Sequence, residues 1–142
     1  MANAGSWLET NVKLEGFSRI DFDRVQIRRA MRTLGRDVQK ESRKLVGRRM
    51  RSRPGENPGR RSGATVRSIK YKVSRPGFLV RIAPMKTPEM GEHFYPAYLH
   101  YGSEKINLKA RNNYMVQALQ NRSAKARNVL RRALQNALIP RK

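Results

Sequence analysis

Asp21-Phe22-Asp23-Arg24-Val25-Gln26-Ile27-Arg28-Arg29-Ala30-Met31-Arg32-Thr33-Leu34-Gly35-Arg36-Asp37-Val38-Gln39-Lys40-Glu41-Ser42-Arg43-Lys44-Leu45-Val46 reads as one amphipathic helix. Ile27, Met31, Leu34, Val38 and Leu45 recur at steps of three, four and seven, which lays a single apolar stripe along a helix from about residue 22 to about residue 46. Asp21 and Asp23 stand where an N-cap and a first turn favour carboxylates. Gly35 weakens this helix without ending it, and Gly47 supplies a stop.

Outward from this helix the period changes. Upstream, Asn11-Val12-Lys13-Leu14-Glu15-Gly16-Phe17 alternates apolar and polar residues as a half-buried strand does, with Trp7 and Leu8 placed to extend or anchor it. Downstream, residues 48–63 combine Pro, Gly and Arg with almost nothing to bury, and a mobile loop is expected there. Ala64 to Ser68 fits one helical turn. Ile69-Lys70-Tyr71-Lys72-Val73 alternates as a strand, Phe78-Leu79-Val80-Arg81-Ile82 is its expected hairpin partner, and Ser74-Arg75-Pro76-Gly77 is the turn between them. Pro84 to Gly91 reads as a second loop. The aromatic stretch Tyr95-Pro96-Ala97-Tyr98-Leu99-His100-Tyr101-Gly102 reads as a further strand, with Pro96 at an edge or strand start. From about residue 112 to 138, Tyr114, Met115, Ala118, Leu119, Ala126, Val129, Leu130, Ala133, Leu134, Ala137 and Leu138 keep one helical face apolar, and Pro140 ends the run. The expected fold is a single α+β domain: a small antiparallel β-sheet packed by a long N-terminal helix and a long C-terminal helix.

Composition narrows the function. The chain has 142 residues, of which 38% are hydrophobic, and its mean hydropathy is −0.78, so the core must be thin. Lys and Arg number 32 against 10 Asp plus Glu, a net charge of +22, which opposes compaction by self-repulsion and predicts that the working state meets counter-charge. The charge is blocked: residues 24–61 carry +11 and residues 105–142 carry +10, while residues 1–23 carry −2. No cysteine is present, which excludes disulfide scaffolds, thiolate metal sites and cysteine nucleophiles. No apolar run approaches a membrane span, and Met1 to Thr10 lacks the pattern of a secretory leader.

Three constellations could carry function. Arg24, Arg28, Arg32, Arg36, Lys40 and Lys44 lie four apart down the first helix, and like charges at that spacing mildly destabilise an isolated helix. They form either a solvated basic face or a surface for a polyanion, whether nucleic acid or an acidic protein ring. Arg48, Arg49, Arg51, Arg53, Arg60 and Arg61 in the following loop form either a second such surface or a loop with no specific role. With no zinc-finger spacing, GxxG loop or RRM signature, any nucleic-acid contact should run through phosphates and be strongly salt-dependent. Phe94, Tyr95, Tyr98 and Tyr101 suit sheet core and subunit interface better than base stacking, because their spacing makes no continuous platform on a strand. Catalysis has little support. His93 and His100 lie in no metal or triad frame, and Asp21/Asp23 and Glu89/Glu92 are the only close carboxylate pairs. No enzyme activity, metal or cofactor is expected.

The ordered set of segments resembles a known family. A basic amphipathic helix leads to Arg60-Arg61-Ser62-Gly63-Ala64-Thr65-Val66-Arg67-Ser68-Ile69, then a hairpin, then Tyr95-Pro96-Ala97-Tyr98-Leu99-His100-Tyr101-Gly102-Ser103 and a C-terminal amphipathic helix. This resembles the tail-completion and neck proteins of long-tailed bacteriophages, which include proteins akin to the lambda minor tail protein Z. Ser62-Gly63 and Ser68-Ile69 match the family's "TG-x-L-x-x-SI" segment, and Tyr95, Ala97, Tyr98 and Gly102-Ser103 match its "YA-x-Y-x-E-x-GT" segment. His100 stands where the family has an acidic residue, and Ala110-Arg111-Asn112-Asn113-Tyr114 replaces its Pro-aromatic entry to the last helix. The resemblance implies a virion structural subunit, assembled in the host cytoplasm into a ring of six or twelve at the head–tail junction. Its implied partners are neighbouring connector and tail-tube proteins and genomic DNA in the channel, with no membrane and no chemistry. The rival reading is a cellular, sequence-nonspecific nucleic-acid-binding protein of ribosomal or nucleoid type.

Overall fold

Asp23 opens the first helix as its N-cap: its carboxylate accepts a hydrogen bond of 2.9 Å from the Val25 N–H. The computed structural model describes residues 23–138. The expected strand at 11–17, Trp7, Leu8, Asp21 and the Pro140 stop lie outside the described residues.

The elements run α1 (Arg24–Leu45), α2 (Ala64–Ser68), β1 (Ile69–Val73), β2 (Val80–Pro84), α3 (Tyr95–Tyr101) and α4 (Tyr114–Ala137), with 3-10 turns at Pro88–Met90 and Glu104–Ile106. This is the expected α+β architecture of two long helices and a two-stranded antiparallel sheet. Arg43 and Lys44 occupy the last turn of α1, where cations oppose the helix dipole, and Val46 caps it through a bond from its N–H to the Ser42 carbonyl. α4 begins on Asn113, whose side chain accepts from the Val116 N–H at 3.2 Å.

α1 and α4 lie antiparallel. The Asp23 N–H donates to the Ala137 carbonyl at one end, and Glu41 meets Arg122 towards the other. The sheet packs on α1 beside this pair. The densest core is Val46, Ile69 and Tyr114, with Leu45, Val66, Ile82 and Met115 around it. It therefore sits where the end of α1, the start of β1 and the start of α4 converge.

Gly35 has a packing reason to be there. A Cβ on it would lie 2.6 Å from Tyr71 Cδ2, 2.9 Å from Tyr71 Cγ and 3.0 Å from Val80 Cγ2. The absent side chain lets the hairpin lie against the helix backbone, which offsets the lost helix propensity.

Three expectations need correction. The stretch 95–101 is a helix, not a strand. Pro96 sits in its first turn, where a fixed φ is preorganised and no N–H is needed. The spacing of Tyr95, Tyr98 and Tyr101, which fits no strand face, is that of successive helical turns. Next, β2 starts at Val80 rather than Phe78. The Ser74 N–H donates to the Leu79 carbonyl and the Leu79 N–H to Ser74 Oγ, so the connection takes six residues, 74–79. Phe78 and Leu79 are left in it, 50% and 65% exposed. Last, the apolar face of α4 is wider than its partner helix can cover: Tyr114, Ala118 and Ala137 are buried, but Leu119, Leu134 and Leu138 stay about half exposed.

The loop at 48–63 has no regular structure, yet it is pinned. The Gly47 N–H donates to the Pro58 carbonyl and the Arg60 N–H to the Arg49 carbonyl, which joins its two ends. Its middle is tied to the segment before α4 by Arg111 Nε to Ser52 Oγ (2.8 Å) and by Asn112 to Asn57 (2.9 Å). Pro58 is fully buried. A stretch that looked to have nothing to bury is anchored by one proline and by backbone groups that composition does not reveal.

Candidate polyanion-facing and subunit interfaces

The basic stripe of α1 winds. Each step of four residues advances roughly 40° round a helix of 3.6 residues per turn, so Arg24 and Lys44 stand roughly 200° apart. Arg24, Arg32, Arg36 and Lys40 are exposed, and Arg28 is half-buried. Arg28 donates to the Arg75 carbonyl and Arg36 Nε to the Tyr71 hydroxyl at 3.3 Å, so these two lean over the hairpin.

The two carboxylates of α1 point the other way, into the seam with α4. Asp37 pairs with Lys125. Buried Glu41 accepts from Arg122 at 2.7 Å and from Asn121 at 3.3 Å. The hydrogen bond from Arg122, and next that from Asn121, hold the Glu41 carboxyl below its ordinary value. The seam thus consumes the acids of α1 and leaves only cations on its open side. Sequence reasoning missed this seam, although the spacing of Asp37 and Glu41, four apart on the apolar side of a basic helix, was a signal for it.

In the loop, Arg48, Arg49, Arg51, Arg53, Arg60 and Arg61 are all exposed. The bond between Arg60 and Arg49 sets Arg48 and Arg49 beside Arg60 and Arg61, whereas Arg51 and Arg53 flank Ser52 near the α4 entry. Arg67 is set apart by its ion pair with Glu89, an exposed contact of small energetic worth. On the hairpin, exposed Lys72 and Arg81 stand directly opposite each other, a like-charge pairing that costs stability in a sheet.

The four aromatic candidates do not share one face. Tyr95 and Tyr98 lie with Leu99, Ile106 and Leu108 in an apolar groove of about 440 Å³, with His93 at 6.4 and 6.2 Å from the two tyrosine rings. Phe94 and Tyr101 line a second groove of about 330 Å³ that includes Tyr114. Tyr101 is 80% exposed, its ring edge-on to His100 at 4.6 Å. The Tyr114 hydroxyl is buried without a partner, and burial pushes it up to about 12. Rings divided between two grooves make no stacking platform for bases. Among the described residues no three His, Asp or Glu come together as a metal site, and no helix is long and apolar enough to cross a membrane.

Comparison of the chain with protein-family models, curated proteins and solved structures gives no match.

Proposed function

We propose that this chain is a structural subunit of the neck or tail-completion ring of a long-tailed bacteriophage, joining the DNA-filled head to the tail and lining part of the channel. The observation that carries this reading is the incompleteness of the subunit. One small domain leaves apolar grooves open on either side of α3 and, on α1, a cationic surface whose nearby carboxylates are turned into the α1–α4 seam. Open apolar grooves call for neighbouring protein, and unbalanced cations call for an acidic ring or for DNA. The order of segments shared with the neck family supports the same reading.

The functional roles then divide. Arg24, Arg28, Arg32, Arg36 and Lys40, with the joined ends of the 48–61 loop, face the polyanion, and the aromatic residues of α3 face adjoining subunits. Replacing Arg24, Arg32 and Lys40 by Glu, all exposed and none bonded to the hairpin, leaves the fold intact and blocks head–tail joining. Electron microscopy of the lysate is expected to show separate heads and tails. Normal yields of joined particles would reduce the stripe to a solvated face.

The opposed Lys72 and Arg81 also favour a second reading, a cellular protein that binds nucleic acid through phosphates alone. That reading requires the purified monomer to bind any duplex tightly, with affinity falling steeply as salt rises. Weak duplex binding together with ring formation separates the two.

A further inference from the structure

We propose that neighbouring copies of this chain join head to tail, the Phe78-Leu79 tip of one hairpin entering the groove that Tyr95, Tyr98, Leu99, Ile106 and Leu108 form on the next. This rests on the ring reading above and specifies the contact that would build the ring.

Both surfaces are open within one copy. Phe78 and Leu79 follow the Ser74–Gly77 turn at the closed end of the hairpin, half or more exposed, and hydrogen bonds from Ser74 and Gly77 hold that connection in shape. The groove of about 440 Å³ is walled by aromatic and aliphatic side chains and has room for two apolar side chains. Neither surface can satisfy the other within a single molecule. The tip is fastened to the first turns of α1, where Arg28 bonds the Arg75 carbonyl and a Cβ on Gly77 would lie 3.1 Å from the Arg28 Cβ. Tyr95, Leu99 and Leu108 instead line a cleft shared with Val46, at the far end of the same helix. At 1.5 Å per residue, residues 28 and 46 are about 27 Å apart along the axis. Two different patches at opposite ends of one subunit make a heterologous contact, the kind that closes into a ring when its rotation permits.

Charge points the same way. The hairpin carries Lys70, Lys72, Arg75 and Arg81, all exposed, and no acid occurs between Glu56 and Glu89. Two exposed acids stand beside the groove, Glu92 next to His93 of its wall and Glu104 next to Ser103, against one cation, Lys105, in the wall itself. Glu92 and Glu104 give a cationic tip partners at the groove, whereas tip against tip brings like charges together.

The natural chain contains no cysteine, so introduced thiols report the contact cleanly. Under mild oxidation, a mixture of the Leu79→Cys and Ile106→Cys variants is expected to give mixed dimers, with neither variant cross-linking to itself. A chain carrying both substitutions should give a ladder ending in one closed species. Phe78→Ser with Leu79→Ser, at sites too exposed to disturb folding, should weaken self-association about tenfold or more by analytical ultracentrifugation. Oligomers that form undiminished by the serine pair, or without the mixed cross-link, overturn this contact but leave the ring reading standing. A chain that stays monomeric at every concentration, and beside heads and tails, overturns both. A Trp7→Cys, Ile106→Cys pair that closes within one chain would give the groove to the chain's own N-terminal segment and overturn the proposal.

Discussion

Gly35 shows how a single missing methyl sets the distance between a helix and a sheet. Propensity alone would reward Gly35→Ala by about 1 kcal/mol. The added Cβ, however, meets the root of the Tyr71 ring rather than a flexible tip, and overpacking of this kind costs about 1–3 kcal/mol. We expect Gly35→Ala to lower the unfolding free energy measured by urea titration by a net ~1 kcal/mol, with a correspondingly lower midpoint, and to do so far less when Tyr71 is replaced by Ala. An unchanged or raised midpoint would mean that the hairpin does not bear on this position. The sequence shows the glycine and its weakening of the helix. That Tyr71 lies over it depends on the pairing of β1 with α1, which no local pattern encodes.

At the level of elements, the α1–α4 seam joins the fold to the charge distribution. Glu41 is held ionised by Arg122 and Asn121, so its folded pKa lies below its unfolded one. The sign follows directly. Its contribution is present above the unfolded value near 4.3 and is lost as pH falls through the lowered folded value. Stability measured by denaturant titration should therefore drop below about pH 4.3, and Glu41→Gln should flatten that part of the profile. Arg122→Met, which leaves the buried carboxylate with Asn121 alone, should cost about 2 kcal/mol at pH 7; the partial exposure of Arg122 keeps the figure below that of a fully buried pair. Element types were legible wherever the period was long or clean. α1, β1, the turn at 64–68 and α4 stand within a residue or two of their expected positions. The stretch 95–101 was misread because its aromatic residues suit strands and a proline near its start suits an edge. Seven residues are too few for a helical period to outvote those two cues.

Over the whole molecule the dominant fact is a charge of +22 on a thin core. Self-repulsion of that size acts beyond contact distance and is screened over about 10 Å at 0.1 M salt. Calorimetry on the isolated chain should thus show the melting temperature rising with added sodium chloride, by roughly 4 °C for each 1 kcal/mol recovered in a chain of this length. A temperature that falls with salt would show that short-range ion pairs, such as those of Glu41 and Asp37, outweigh the general repulsion. Added polyanion should stabilise at far lower concentration, because it binds the folded surface as one ligand.

Reading the residues in order was enough for the helices, the first strand and the excess of cations, because periodicity and charge are properties of neighbours along the chain. Which cations remain free, where the aromatic rings face and which apolar side chains stay uncovered were decided only when the chain closed on itself. Asp37 and Glu41 turn to Lys125 and Arg122 more than eighty residues away, and the ends of the arginine loop meet through backbone bonds. Those partners are chosen by packing in space: the energy of a buried carboxylate or an open groove depends on what the fold brings against it, and no local pattern along the chain carries that information.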